Sequence, residues 1–319
     1  MRNNKKPSIN RIIFKAFPWV MGILLILLVY IKINSGSAQS NSNAASNSSS
    51  AQSESTSQTS QVVKKRRKIK SELQSYLKEV TKDGTTSVSF YNLGASKKDA
   101  KKIKNAAVYK EGSLTTESNA HTPEVAASTF KLFISAFLMN QKLKGQFSWT
   151  ATNTNGFYQM IVNSDNTYAD AKLQSYGMST ANQFVKNQGW YNPVFQETKV
   201  ATTTSHSLML LLEKLSQAQG PFKNSSDQQK ILGLMSKQIY RTGIPAGASS
   251  AQSGTKVADK VGFLNDTNND AGIVTLPNGE RYILVVMTHG HDQSGFSGFP
   301  KIAKITKKVQ TIVYGSDSK

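Results

Sequence analysis

The chain has 319 residues, 38% of them hydrophobic, which suits one principal domain with attachments and is too polar for a polytopic membrane protein. Cysteine is absent, so disulfides, thiol nucleophiles, Cys-ligated zinc and a lipoprotein cysteine are excluded. A formal net charge of +20 and a pI near 9.9 point to anionic surroundings such as nucleic acid, lipid headgroups or wall polymers, and say nothing about fold.

Residues 1–11 read as a cytoplasmic basic tail and 12–33 as a transmembrane anchor or signal segment. Arg2, Lys5, Lys6, Arg11 and Lys15 precede an uncharged apolar run from Ala16 to Ile31. With Ile12 to Phe14 added and Lys15 and Lys32 snorkelling, the run approaches the roughly 20 residues that span a bilayer. Positive charge on its N-terminal side predicts an N-in, C-out orientation. Cleavage near Gly36-Ser37-Ala38 is the competing reading, and would give a secreted form. Residues 34–62, rich in Ser, Asn, Gln and Ala, are expected to be a disordered linker, because nothing there offsets the entropy of ordering.

A domain is expected over 63–319. The run Lys64-Lys65-Arg66-Arg67-Lys68 would suggest nucleic acid in a cytosolic protein. Beyond an export signal, and with no aromatic residues interleaved, it reads as a solvated helix face, or as a patch attracted to anionic lipid or wall polymer. Ile69, Leu73, Tyr76, Leu77 and Val80 recur at helical spacing, and Thr86 to Tyr91 alternates as a strand. Thr129 to Leu138 and Leu208 to Leu215 read as buried helices. Gly272 to Leu276 and Tyr282 to Thr288 read as strands joined through Pro277-Asn278-Gly279. Pro300 begins a last helix with Ile302, Ile305, Val309 and Ile312 on one stripe. The order predicts an α+β domain in which an antiparallel sheet is flanked by helices and completed by a helical lobe.

Three short motifs carry chemistry: Ser128-Thr-Phe-Lys131, Ser164-Asp165-Asn166 and Lys260-Val261-Gly262. A serine hydroxyl needs a base within reach, and Ser and Lys at i and i+3 lie on one helical face. Ser128 stands where a polar segment turns into an apolar helix, so backbone N–H groups at the helix start could stabilise an oxyanion. The other motifs would add a second hydroxyl, an amide and a second ammonium.

Together these motifs resemble the active-site signature of class A serine β-lactamases and penicillin-binding proteins. The likeness extends to Ala127 through Leu132, Asn163 through Thr167, Ala201 through Thr204, Ile244-Pro-Ala-Gly247, Val257 through Gly262 and Asn269 through Ile273, in the family's order. It implies that Ser128 attacks a carbonyl, Lys131 takes its proton and Ser164 relays a proton to the leaving nitrogen. It further implies that Lys260 lowers the proton affinity of Ser164 and attracts an anionic group, and that Asn166 holds the substrate amide. The N–H groups of Ser128 and Phe263, beside Gly262, would form the oxyanion hole. Substrates would be β-lactams or D-Ala-D-Ala-like wall peptides, with no cofactor and a monomeric enzyme.

Two departures bear on turnover. The family's Glu-x-x-Leu-Asn loop, which supplies a water-activating glutamate, has no counterpart between Ser164 and Thr202, where Glu197 lies too close to Ala201 to match and reads as an exposed loop residue. Val261 replaces a threonine whose hydroxyl would bind a substrate carboxylate. A slowly deacylating penicillin-binding D,D-peptidase and a non-catalytic domain binding wall polymer therefore stand as alternatives. His289-Gly290-His291-Asp292 reads as a polar loop rather than a metal site, and His121 and His206 as isolated surface or capping residues. No metal is expected.

Overall fold

In the computed structural model, residues 49–95, 99, 103 and 105–315 are described. The expected basic tail and anchor lie outside them. Among the described residues no helix is long and apolar enough to cross a membrane. By its internal contacts the chain divides after Glu54, and apart from the start of the first helix the account that follows concerns the part from Ser55 on.

Helix α1, Ser49–Val80, opens the described chain. It begins well before Val63, so residues 49–62 are helical where a disordered linker was expected. Ser49 to Gln61 contains neither Gly nor Pro to break the helix, and propagation from a turn already formed costs far less than a new nucleus. Ile69, Leu73 and Leu77 dock it. Lys64, Arg67 and Lys68 are exposed, whereas Arg66 donates to the carbonyls of Val108 and Ala107. The basic run is thus partly a packing face.

Strands β1 (Thr86–Ala95), β2 (Thr116–Ser118), β5 (Lys256–Leu264), β6 (Thr267–Thr275) and β7 (Glu280–Thr288) form an antiparallel sheet of order β2-β1-β7-β6-β5. The Pro277-Asn278-Gly279 turn joins β6 to β7, with Gly279 at φ 92° and its N–H on Leu276 O. A small ribbon pairs β3 (Glu124–Val125) with β4 (Thr202–Thr203). Helices α2 (Lys131–Leu143), α3 (Ala151–Ile161), α4 (Thr167–Tyr176), α5 (Met178–Asn187), α6 (Ser205–Ser216), α7 (Ser225–Met235), α8 (Ile244–Ala251) and α9 (Phe299–Tyr314) complete the domain.

The strand alternation divides the core. Ile283, Val285 and Met287 of β7 join Leu132, Phe133, Phe157 and Leu208 from the helical lobe. Tyr282, Leu284 and Val286 face the other way, onto Leu73 of α1 and Ile302, Ile305 and Val309 of α9. β7 is therefore buried on both faces, as the central strand of a sheet covered on both sides must be. At the far edge, β5 borders the helical lobe, and that border carries the three motifs.

Candidate active site

The chain reaches Ser128 through a strained turn. Ala127 adopts φ 43°, in the left-handed region, and begins a short 3-10 turn, Ala127–Phe130, that runs into α2. Three neighbours hold this turn, Ala201, Asn269 and Gly262. Ala126 N donates to Ala201 O at 2.8 Å, and Asn269 Nδ2 donates to Val125 O at 2.8 Å and to Ala126 O at 3.1 Å. At the third, a β-carbon on Gly262 would lie 2.9 Å from the nitrogens of both Ser128 and Thr129, so only glycine permits β5 to pass so near.

Lys131, buried in the first turn of α2, donates through Nζ to Ser128 Oγ at 2.7 Å, to Ser164 O at 2.6 Å and to Asn166 Oδ1 at 2.6 Å. Ser164 sits in the loop before α4 at φ 61°, a conformation costly for a residue with a β-carbon and most often kept at functional sites. This geometry gives the carbonyl of Ser164 to Lys131 and its hydroxyl to Lys260, whose Nζ lies 2.7 Å from Ser164 Oγ and 2.7 Å from Val261 O. The five side chains Ser128, Lys131, Ser164, Asn166 and Lys260 are thereby joined. The hydroxyl of Ser164 faces the second lysine, not the first.

Burial weakens both ammonium groups. Desolvation brings the Lys131 pKa down to about 8 against the opposing pull of Asp165 and Asp170. Lys260 falls well below the usual lysine range, through desolvation first and repulsion from Lys131 second. A serine hydroxyl in contact with an amine whose neutral form is accessible near pH 7 is the pairing that nucleophilic attack requires.

Beneath Lys260 lies a network that the motifs do not announce. Asp259 pairs with Arg241 at its surface end, and Asp270 accepts from Ile244 N at 2.8 Å. Both carboxyls are fully buried, and the negative charge of each disfavours ionisation of the other. Desolvation raises both, Asp259 well above the carboxylate range and Asp270 to about 6. The signal in the sequence was two aspartates placed within strands, one directly before Lys260 and one four residues into β6.

Phe263 lies on the open edge of β5. The two-residue turn Asn265-Asp266 makes Leu264 and Thr267 opposite partners, so alternation turns the backbone groups of Val261 and Phe263 away from β6. The Lys260 contact with Val261 O agrees with that orientation. Val261 itself is fully buried in the core shared with α8 and α9. The ring of Phe263 packs on Tyr240 and Phe296, with centroids 5.4 and 4.5 Å away.

Glu197 is exposed, as expected, and borders an open surface cleft with Asn182, Lys186 and Phe195. Asn182 fixes the neighbouring chain by accepting from Val194 N and Phe195 N and donating to Phe195 O. Phe195 in turn meets Phe130 edge-on at 6.2 Å. An aromatic ring, not a carboxylate, is what this segment presents next to the nucleophile turn.

The histidines differ from expectation in one respect. His289 pairs with Glu124 at 3.2 Å and His291 with Asp83 at 2.8 Å, so that loop splits between two partners. His121 and His206 are not isolated: their rings stand 4.3 Å apart beside Glu117. They lie far apart in the chain, and only the turn after β2 brings them together.

Residues 154–314 match the sequence model of the Beta-lactamase enzyme family. No curated protein sequence matches the chain. Among solved structures it is similar to PBP-A, with 20% identity, TM-score 0.60 and coverage of 77% of this chain and 95% of that one. It is similar also to a class A β-lactamase from Bacteroides cellulosilyticus, at 16% identity and TM-score 0.59 over 78% and 98% of the two chains. A β-lactamase from Sphaerobacter thermophilus matches at 16% identity and TM-score 0.60 over 76% and 96%. At such identities the likeness is one of fold, an α+β domain with an antiparallel sheet and a helical lobe. With the family match spanning half the chain, it follows that the chain belongs to the beta-lactamase enzyme family and is a serine hydrolase of amide bonds.

Proposed function

We propose that the protein forms an acyl-enzyme at Ser128 with β-lactams or D-Ala-D-Ala-like wall peptides. The observation that carries this reading is the pair of contacts Ser128 Oγ to Lys131 Nζ and Ser164 Oγ to Lys260 Nζ, both 2.7 Å, with Lys131 Nζ also on Asn166 Oδ1 and Ser164 O. Neutral Lys131 takes the proton of Ser128 as its oxygen attacks the carbonyl. The developing oxyanion lies between the N–H groups of Ser128 and Phe263. Ser164 passes a proton to the departing nitrogen and is reprotonated from Lys260, while Asn166 orients the substrate amide. Water then releases the acid from Ser128.

The release step is slow in this reading, as in a penicillin-binding D,D-peptidase. Phe195 rather than a carboxylate adjoins the nucleophile turn, and Glu197 is exposed. Residues 12–33 would anchor the enzyme in the cell membrane with its catalytic domain outside. The excess of positive charge would hold it near anionic lipid or wall polymer.

Intact-protein mass spectrometry after addition of a penicillin tests the reading, with Ser128→Ala alongside. A persistent adduct of the penicillin's mass, absent from the variant, is expected. A folded protein that forms no adduct with penicillins, cephalosporins or a D-Ala-D-Ala thioester overturns it.

A further inference from the structure

We propose that Glu117, His121 and His206 form a transition-metal site that binds one Zn2+ ion and ties the sheet edge at β2 to the first turn of α6. One donor atom from each residue lies within 4.8 Å of the other two. His206 Nδ1 already stands 2.9 Å from Glu117 Oε1 and 3.1 Å from Oε2. Zinc with bonds of about 2.0–2.2 Å separates its tetrahedral ligands by about 3.4 Å. The cluster reaches that spacing through a side-chain rotation of His121, which is exposed and free to swing. Two imidazoles and one carboxylate select a borderline ion such as zinc over magnesium or calcium, which take oxygen ligands. Three protein donors leave a fourth position for water.

The surroundings hold the donors as a metal site requires. Ser89 Oγ donates to Glu117 Oε1 at 2.8 Å, and Ser205 Oγ in turn lies 3.0 Å from Ser89 Oγ and 2.6 Å from Ser87 Oγ. This orients the carboxylate from behind, the arrangement that conditions ligand basicity. The backbone N–H of His206 donates to Ala120 O at 3.1 Å, which fixes the two histidine segments to each other. Asn119, left-handed at φ 53°, reverses the chain after β2 and is held by its own Nδ2 on Thr81 O and Thr86 O. These contacts account for the position of Glu117 and of both backbones. They leave His121 without a polar reason to lie, tilted, 4.3 Å from another imidazole. A shared cation supplies one. Because α6 follows β4, and β4 pairs with β3 ahead of Ser128, the ion would brace the ribbon that leads to the nucleophile turn.

The test is equilibrium dialysis of the untagged full chain against ZnCl2, with bound metal measured by mass spectrometry and an X-ray absorption spectrum at the zinc edge. One zinc per chain with nitrogen and oxygen ligands is expected. Affinity should drop at least tenfold in His121→Ala and in Glu117→Gln, and stay unchanged in a His289→Ala/His291→Ala control. Zinc should raise the melting temperature of the native chain and leave that of His121→Ala unmoved. His121 is exposed, so its variant folds even where a His206 variant does not. Equal zinc uptake by the native chain and His121→Ala, or loss of uptake in the His289/His291 control, overturns the proposal.

Discussion

Strand β5 touches the nucleophile turn at Gly262: a β-carbon there would lie 2.9 Å from the amide nitrogen of Ser128, with Ala126 O at 3.0 Å. Those neighbours are backbone atoms and cannot rotate away. Gly262→Ala is therefore expected to displace Ser128 relative to Phe263 N–H while leaving both cores intact. A shift of about 1 Å lowers the acylation rate on the order of 100-fold. Stopped-flow acylation by a fluorescent penicillin, with circular dichroism as the control for folding, checks it; a native rate would show that the two elements move independently.

Asn269 holds the same turn from β6. Its Nδ2 donates to Val125 O and Ala126 O, and its side chain is fully buried. Asn269→Ala leaves Val125 O short of a buried donor and removes the tie between sheet and turn. We expect a loss of about 1–3 kcal/mol in urea unfolding and a slower acylation, since removing one partner exposes the desolvation cost of the other. Loss of stability with an unchanged acylation rate would make Asn269 a structural residue alone.

Ser128, Lys131, Ser164, Asn166 and Lys260 were legible because each lies in a short motif whose residue types already imply proton transfer. The β6–β7 turn was legible from Pro277-Asn278-Gly279. Asn269, Asp259 and Asp270 were not, because their meaning depends on Val125, Arg241 and Ile244, partners that only the folded sheet delivers. The helix over residues 49–62 escaped for a different reason: a segment poor in large apolar residues argues against a packed element, yet the helix is continuous with one that Ile69, Leu73 and Leu77 dock.

Acylation should rise with pH through about 8. The Lys131 pKa is lowered to about 8 by desolvation, so roughly a tenth of the side chain is neutral at pH 7, and each further unit of acid costs about tenfold in base form. The rate constant for penicillin acylation, measured from pH 6 to 9.5, should climb and level off above that pKa. A profile flat between pH 6 and 8 would remove Lys131 from the role of base.

Arg241 neutralises the buried acids under Lys260, and its loss should matter more as pH rises. The folded-state pKa of Asp270 lies at about 6, above its unfolded value, so its contribution is fully present below about pH 4 and is lost as pH rises through 6. Without the Arg241 cation both carboxyls are raised further, which deepens that loss at neutral pH. Arg241→Gln is expected to destabilise the chain by about 3 kcal/mol at pH 8 and by less at pH 5, read from urea midpoints. An equal loss at both values would mean that Arg241 acts through packing.

Glu197→Gln distinguishes the two fates of the acyl-enzyme. A carboxylate that activates the hydrolytic water must reach the acyl carbonyl, and its removal costs about 100-fold or more. Glu197 is exposed on the loop, and the side chain this segment packs against the nucleophile turn is Phe195, perpendicular to the ring of Phe130. The variant should therefore release a penicilloyl adduct as slowly as the native protein does. Opening the contact is the complementary change: Phe195→Glu would bring a carboxylate to the ring position nearest Phe130. Faster loss of the adduct in Phe195→Glu, with Glu197→Gln unchanged, would show that hydrolysis is limited by the missing base. Slower loss in Glu197→Gln would instead show that the loop rearranges once Ser128 is acylated and brings Glu197 to the water.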